Sequence, residues 1–230
     1  MSNSSYALNS DETDCRIEVL DEDWNEQLLK LSKESPVQTE SLRLHFDRSP
    51  DVFTIPKLTS FKYRCLGFFH KNTLAGYAMA CYQRRYIHGE VSEVLYLGNM
   101  HVTIKGLGKL FLQHLTKRFE RIVPQSSAVE NLFAYVIEKN VPAMKLVKLG
   151  KLQSRVIGKI AMHTIFLVTP KSKSRKYKVR QAKEEDINFI VPMLKKEHKQ
   201  RFLAPEINLS LFKGSLEKRP NFGLKNFLVA

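Results

Sequence analysis

The chain has 230 residues, 43% of them hydrophobic, enough for one large domain or two small ones with a core. Its formal charge is +14, and its three cysteines lack CxxC spacing. With no apolar run of about 18 residues, a membrane span is disfavoured, as are a disulfide framework and a zinc site; a reducing cytoplasm is the expected setting.

Residues 1–15, rich in Ser, Asn and acids, predict a flexible tail, and no apolar stretch follows Met1 as a secretory signal requires. Residues 16–20 alternate as a short strand. Asp21, Asp23 and Asn25 suit the start of a helix from Trp24 to about Lys33, which Pro36 ends. Leu42, Leu44 and Phe46 predict a second helical segment. The phrase Arg48-Ser49-Pro50-Asp51-Val52-Phe53 starts a further helix or turn.

Residues 61–102 read as an antiparallel meander. Strands at 63–70, 74–86 and 91–102 are separated by the turns Lys71-Asn72-Thr73 and His88-Gly89-Glu90, with Gly76 as a bulge site. Leu107, Phe111, Leu115 and Phe119 recur every four residues, the spacing of one buried helix face. Residues 131–137 predict a strand, 143–149 a helix stopped by Gly150, and 155–168 a last strand or hairpin. Pro170 opens a basic linker at 171–176. The pattern then restarts, with a strand at 177–180 and a helix at 183–199 opening on Glu184, Glu185 and Asp186; 226–230 read as a strand.

The charge sits in the last third. Residues 151–230 hold 18 Lys/Arg against 6 Asp/Glu, while residues 1–150 hold 19 against 17. No zinc-finger spacing, aromatic RNA-binding signature or helix-turn-helix pattern accompanies it, so solvated helix faces are favoured over a nucleic-acid surface. The seven histidines show no HxxxH or HxH spacing, so no metal site is expected. Gly106-Leu107-Gly108-Lys109 lacks the first glycine and the Ser/Thr of a P-loop. Cys65 and Cys81 fall on neighbouring predicted strands and read as small core residues.

The strand Glu93-Val94-Leu95-Tyr96-Leu97-Gly98-Asn99-Met100-His101-Val102, the turn Thr103-Ile104-Lys105-Gly106-Leu107-Gly108-Lys109 and the later Asn140-Val141-Pro142-Ala143 resemble the cofactor-binding core of the GCN5-related N-acetyltransferases. The resemblance covers roughly residues 16–168. It implies an α/β fold with a mixed, mostly antiparallel sheet flanked by helices. Residues 177–230 look like the start of a second such unit, as in tandem acetyltransferase-like proteins. There Arg48-Ser49-Pro50-Asp51 and the phrase from Tyr96 to Val102 have close counterparts. The implied division is a tail (1–15), an acetyltransferase-like domain (16–170), a linker (171–176) and a partial second unit (177–230).

The resemblance also implies acetyl-CoA as co-substrate and an amine acceptor, small molecule or protein, that the sequence does not identify. Met100 and Val102 would pair with the pantetheine arm through their backbones. Gly106, Gly108 and Lys109 would meet the pyrophosphate, and Asn140 would hold the arm. Glu93 stands where a general base can lie; a solvent-facing strand residue is the plainer reading. In the ungapped frame Leu107, Leu110 and Leu112 replace the family's Gln/Arg and glycines, and Val147 replaces a proton-donating Tyr. These departures predict weak acetyl-CoA binding and sustain an alternative, a non-catalytic interaction module. The last 54 residues are expected to be too few to bury a core alone, and so to lean on the first domain, to lean on a second copy in a homo-oligomer, or to stay loosely ordered.

Overall fold

The computed structural model describes residues 14–38, 43–122, 131–141, 143–145, 155–160, 177–219 and 221–230. The chain divides into two compact units, Met1–Arg85 with Val91–Ser154, and Tyr86–Glu90 with Arg155–Ala230.

The first unit is α/β, built on a five-stranded, mostly antiparallel sheet with helices on both faces. Strand β1 (Cys15–Leu20) leads through a 3-10 turn into helix α1 (Asn25–Glu34). Strands β2 (Val37–Gln38) and β3 (Arg43–Leu44) form a separate small ladder before helix α2 (Thr54–Thr59). The meander follows as β4 (Lys62–His70), β5 (Thr73–Ile87) and β6 (Glu90–Val102), then helix α3 (Gly108–Ile122) and β7 (Asn131–Phe133). The sheet order is β1-β4-β5-β6-β7, with β6 and β7 parallel. A parallel pair needs a crossover, and α3 supplies it. This is the architecture that the acetyltransferase resemblance implies.

Alternation along β4 and β5 builds two cores. Leu66, Phe68, Ala78 and Ala80 face Phe111 and Leu115 of α3, and Phe68 stacks on Phe111 with ring centres 4.9 Å apart. Cys65, Phe69, Tyr77 and Met79 face Leu28 and Leu31 of α1, together with Val52 and Phe53. The register of β4 on β5 shifts between Phe68 and Phe69, whose partners are Gly76 and Leu74, so Ala75 is an extra residue beside the predicted bulge glycine. A Cβ on Gly76 would lie 2.6 Å from the His101 carbonyl oxygen, so only glycine lets β5 approach β6 there.

Some expectations need correction. Leu44 lies in a strand, paired with Val37, and not in a second helix. Leu42, Leu44 and Phe46 are two residues apart, which is the strand period rather than the helical one. The strand at 131–137 stops at Phe133. The strand at 177–180 shrinks to β8 (Arg180–Gln181). Residues 143–145 are helical as expected, whereas 155–160 carry no regular structure. The tail before Asp14, the end of the helix at 146–149, the segment 161–168 and the linker 171–176 lie outside the described residues.

In the second unit a 3-10 turn at Glu184–Asp186 opens helix α4 (Ile187–Lys199), followed by α5 (Leu209–Glu217) and β9 (Leu228–Val229). Strand β9 pairs antiparallel with β8, Arg180 opposite Val229. Asp186 accepts the Lys183 backbone N–H at 2.7 Å and pairs with Arg180 at 2.6 Å. Ala182, Ile187, Ile190, Val191 and Phe212 are buried together, with Phe227 on Phe212 at 5.3 Å. These residues form a small buried cluster within the unit. The β8–β9 ladder brings the ends of the segment together and turns Phe227 inward. Tyr86 belongs to this unit, exchanging backbone hydrogen bonds of 2.8 Å with Leu203 and Ala204. No helix among the described residues is long and apolar enough to cross a membrane.

Two substitutions test this packing by urea unfolding. Phe111→Ala is expected to cost about 3–5 kcal/mol, because a fully buried ring leaves a cavity between sheet and α3. Gly76→Ala is expected to cost about 1–3 kcal/mol by forcing β5 away from a backbone oxygen that has no soft side chain to yield.

Candidate functional site

The ladder between β6 and β7 covers only Val94–Tyr96 against Asn131–Phe133. Strand β6 continues six residues further, to Val102. The two strands thus part beyond Tyr96. Within the free stretch Asn99 is left-handed, with φ at +49°. Before Asn99, Leu95 and Leu97 face α3 and Tyr96 faces α1; after it, His101 faces α1 and Val102 faces α3. The odd positions have changed sides, so Asn99 is an extra residue, a bulge that re-aims every later side chain.

Of the residues expected to hold the cofactor, Met100 is 38% exposed and Val102 packs partly on the α3-side core. Past Val102, the Thr103 N–H donates to the Ala75 carbonyl at 3.0 Å, which ties the strand end to the β5 bulge. The following turn carries Gly106 at φ +93° with open space where a Cβ would stand. Helix α3 starts at Gly108, with Lys109 exposed in its first turn. Leu107 and Leu110 pack against the core, so the turn is presented by Gly106, Gly108 and Lys109 and not by leucine side chains. First-turn amides of a helix lack intrahelical partners and carry partial positive charge.

Asn140 caps the next helical turn. Its side-chain oxygen accepts the Ala143 N–H at 3.2 Å, and its carbonyl accepts the Met144 N–H at 2.9 Å. Its side-chain NH2 has no role in that cap and remains a donor. Glu93 lies three residues before the strands part. It shares the α3 face with Leu95 and Leu97 and is 3.6 Å from the Arg84 guanidinium. Val147 lies outside the described residues.

The sequence reading missed the polar cluster on the α1 side. His101, 8% exposed, stacks on Tyr77 at 5.1 Å and sets Nδ1 2.8 Å from the Ser35 hydroxyl and 3.3 Å from the Ser35 carbonyl. The Ser35 hydroxyl donates its hydrogen to the Leu31 carbonyl at 2.7 Å. Nδ1 must therefore carry the proton, leaving a lone pair on Nε2. Burial holds His101 below its ordinary pKa of 6.5; the Ser35 carbonyl opposes this and the Arg48 charge reinforces it.

Arg48 donates to the Asn99 side-chain oxygen at 2.9 Å. Its loop is clamped by Asn25, which donates to the Pro50 carbonyl at 2.8 Å and accepts the Val52 N–H at 3.0 Å. Asp51 accepts the Phe53 N–H at 2.7 Å. Tyr96, Phe133 and Tyr135 form an aromatic triad, with Tyr96 5.2 Å from Phe133 and 5.6 Å from Tyr135. The Tyr96 ring lies over Gly98, where a Cβ would meet it. Among the described residues no group of three His, Cys, Asp or Glu is placed to hold a metal.

The signal for this cluster was in the phrase from Gly98 to His101, but the change of face at Asn99 has no sequence periodicity to announce it.

No protein-family model and no curated protein matches the chain. Solved structures do. A possible acetyltransferase from Clostridium difficile 630 is 14% identical, covering 65% of this chain and 99% of that one, with a TM-score of 0.45. An aminoglycoside acetyltransferase from an uncultured soil metagenomic sample, in complex with sisomicin, is 15% identical over 67% and 99%, with a TM-score of 0.47. A transcriptional regulator from Bacillus halodurans C-125 is 11% identical over 65% and 99%, also with 0.47.

The depressed His101 pKa has a signed consequence. Above the ordinary value of 6.5, folded and unfolded chains both hold the ring neutral. Below it the unfolded chain takes a proton first, so the stabilising contribution of the neutral ring is lost as pH falls toward the folded-state pKa. The thermal midpoint is expected to drop between about pH 7 and pH 5, with a shallower drop in His101→Gln. Equal slopes in both proteins would remove His101 as the titrating group.

Proposed function

We propose that the first unit is an N-acyltransferase that moves an acetyl group from acetyl-CoA to an amine. The observation that carries this reading is the parting of β6 from β7 beyond Tyr96, on the strand that runs directly into the Gly106 turn and the start of α3. An amide-bearing arm can add to such a strand by backbone hydrogen bonds, as a further strand would. The open left-handed turn at Gly106 and the first amides of α3 suit a pyrophosphate, with Lys109 supplying charge. The Asn140 NH2 is a donor for the arm.

Acetyl-CoA supplies an activated thioester carbonyl. The residues of this chain hold it beside the amine and manage protons. Backbone N–H groups of the free β6 stretch are the donors for the carbonyl oxygen, whose charge grows as the amine nitrogen attacks. His101 Nε2 takes the proton that the nitrogen sheds. The new C–N bond forms as the C–S bond breaks, and the sulfur leaves with the bonding pair and takes a proton. Tyr96, at the point of parting, is the phenol placed to provide that proton; burial raises its pKa, so it is protonated at neutral pH. Glu93 plays no part in this scheme, since it faces α3 beside Arg84.

The three cysteines Cys15, Cys65 and Cys81 are free and buried, which suits a reducing, cytoplasmic setting. A second reading, a unit that binds without transferring, is supported by the engagement of Glu93 with Arg84 and would leave acetyl-CoA bound but unconsumed.

Thermal-shift titration tests the binding step. Acetyl-CoA at 100 times its Kd is expected to add about 2.7 kcal/mol of apparent stability. Gly106→Val should reduce that shift, because a β-branched residue cannot adopt φ +93° without strain. His101→Gln should keep the shift yet slow thiol release with an amine panel by roughly 10²–10⁴-fold. No shift at millimolar acetyl-CoA would refute the proposal. A shift with no thiol release from any amine would favour the second reading.

A further inference from the structure

The α1 side of the parting holds a donor without an acceptor. Arg48 Nε is buried and unpartnered, and the buried Tyr77 and Ser32 hydroxyls have no partner beyond each other. The Tyr77 ring is fully buried. No ion pair joins Arg48 to a carboxylate among the described residues; its hydrogen-bond partner is the side-chain oxygen of Asn99, and its guanidinium carbon lies 5.4 Å from the centre of the Phe46 ring. The two acids on its own loop are engaged elsewhere, Asp51 on Lys57 and Asp47 on the Ser49 N–H. A half-buried guanidinium with an idle N–H costs free energy unless something meets it. Holding Asn99 in its left-handed turn accounts for one guanidinium nitrogen and leaves Nε unexplained.

We propose that Arg48, beside Asn99 and Tyr77, is a subsite for the carboxylate of the amine acceptor, so that the acceptor is an amino acid or a close analogue. This rests on the acyltransferase reading above. The charge arithmetic selects the ligand: one guanidinium among neutral donors balances a monoanion, whereas a phosphate ester carries nearly two charges. Arginine also matches a carboxylate with two parallel N–H donors. The acyltransferase reading supplies the amine. Asn99, which Arg48 holds, and His101, the proton acceptor, are two residues apart on β6, and the Arg48 charge acts on the His101 ring, so a carboxylate on Arg48 and an amine at His101 belong to one small molecule. The loop carrying Arg48 is fixed by Asn25 and Asp51, so the guanidinium is preorganised rather than free to swing away.

Calorimetry on the full chain tests this without relying on turnover. The probes are N-acetyl derivatives of the common amino acids, each beside its carboxamide, with acetate and inorganic phosphate as competitors and acetyl-CoA titrated separately. At least one N-acetyl amino acid should bind tenfold or more tighter than its carboxamide, and acetate should compete better than phosphate. Arg48→Gln should abolish the preference while keeping the far-UV circular dichroism and a cooperative melt, and Arg48→Lys should keep part of it. If Arg48→Gln does not fold, the Arg48→Lys protein and acetate competition on the unaltered chain carry the test. No carboxylate preference in any pair, an unchanged preference in folded Arg48→Gln, or stronger competition by phosphate would each overturn the proposal. Acetyl-CoA binding without carboxylate preference sinks this inference alone. A carboxylate preference lost in Arg48→Gln, without acetyl-CoA binding, sinks the acyltransferase reading and leaves an anion site.

Discussion

The first unit depends on how closely β5 comes to β6 at Gly76. The His101 carbonyl sits where any Cβ at that position would have to be. Bringing the strands together there forces irregularity on both sides: an extra residue at Ala75 in β5 and a left-handed Asn99 in β6. Bulges bend a strand and increase its twist. The bulge lies in the stretch of β6 beyond its ladder with β7, three residues past Tyr96. It also decides which side chains enter the site. With a regular β6, position 101 would face α3 along with Leu95 and Leu97, and His101 would be lost to the wrong side of the sheet.

Placing polar groups in that opening has a cost, and neighbouring positions show what the alternative looks like. Cys65 and Cys81 lie on the same face of β4 and β5 and behave as small apolar residues. Burial pushes their thiols up to about 12 and about 11, well outside the reactive range. A few residues away Tyr77 is just as buried, and burial pushes its phenol up to about 12 despite the nearby Ser32 hydroxyl. Its oxygen has no hydrogen-bond partner beyond that hydroxyl. A phenylalanine would fill the same space without that penalty. An oxygen retained at such a position, stacked on His101 and close to an idle guanidinium nitrogen, is better explained by what enters the site than by the stability of the sheet.

The meander was legible because its turns are written in local chemistry. Lys71, Asn72 and His88 take positive φ, the last beside Gly89, and each marks a reversal between runs of apolar residues. Helix α3 was legible from its four-residue spacing. The β2–β3 ladder is less legible: Leu42, Leu44 and Phe46 stand two apart, the strand period, in a segment whose ladder is only two residues long. The α1-side cluster was not legible, for a different reason. Arg48 and Asn99 are 51 residues apart, and Ser35 and His101 are 66 apart, so their meeting is a property of the sheet and not of any window of sequence. Glu93 illustrates the converse. A carboxylate on the right strand looks like a base until the face it occupies is known.

The second unit joins a two-residue ladder to a small buried cluster. Strand, 3-10 turn and helix follow one another at β8–α4 just as they do at β1–α1. In the first unit Asp21 caps that turn by accepting the Asp23 N–H at 3.2 Å, while the strand is held by a long partner in β4. In the second the strand is two residues long, and Asp186 does more. It accepts the Lys183 N–H and grips the Arg180 guanidinium through both oxygens, at 2.6 and 2.8 Å. Arg180, then the Lys183 N–H, hold its carboxyl down to about 2. The Asp186 side chain is 13% exposed but its partner Arg180 is 43% exposed, so the contribution of the pair is screened. Its sign is clear: the contact favours the fold above the ordinary Asp value of 3.8 and is lost progressively as pH falls from there through about 2. The lock fixes the exit of β8 into α4, the ladder with β9 returns the chain end to the same place, and Phe227 then completes a core that the apolar residues of α4 and α5 could not close by themselves.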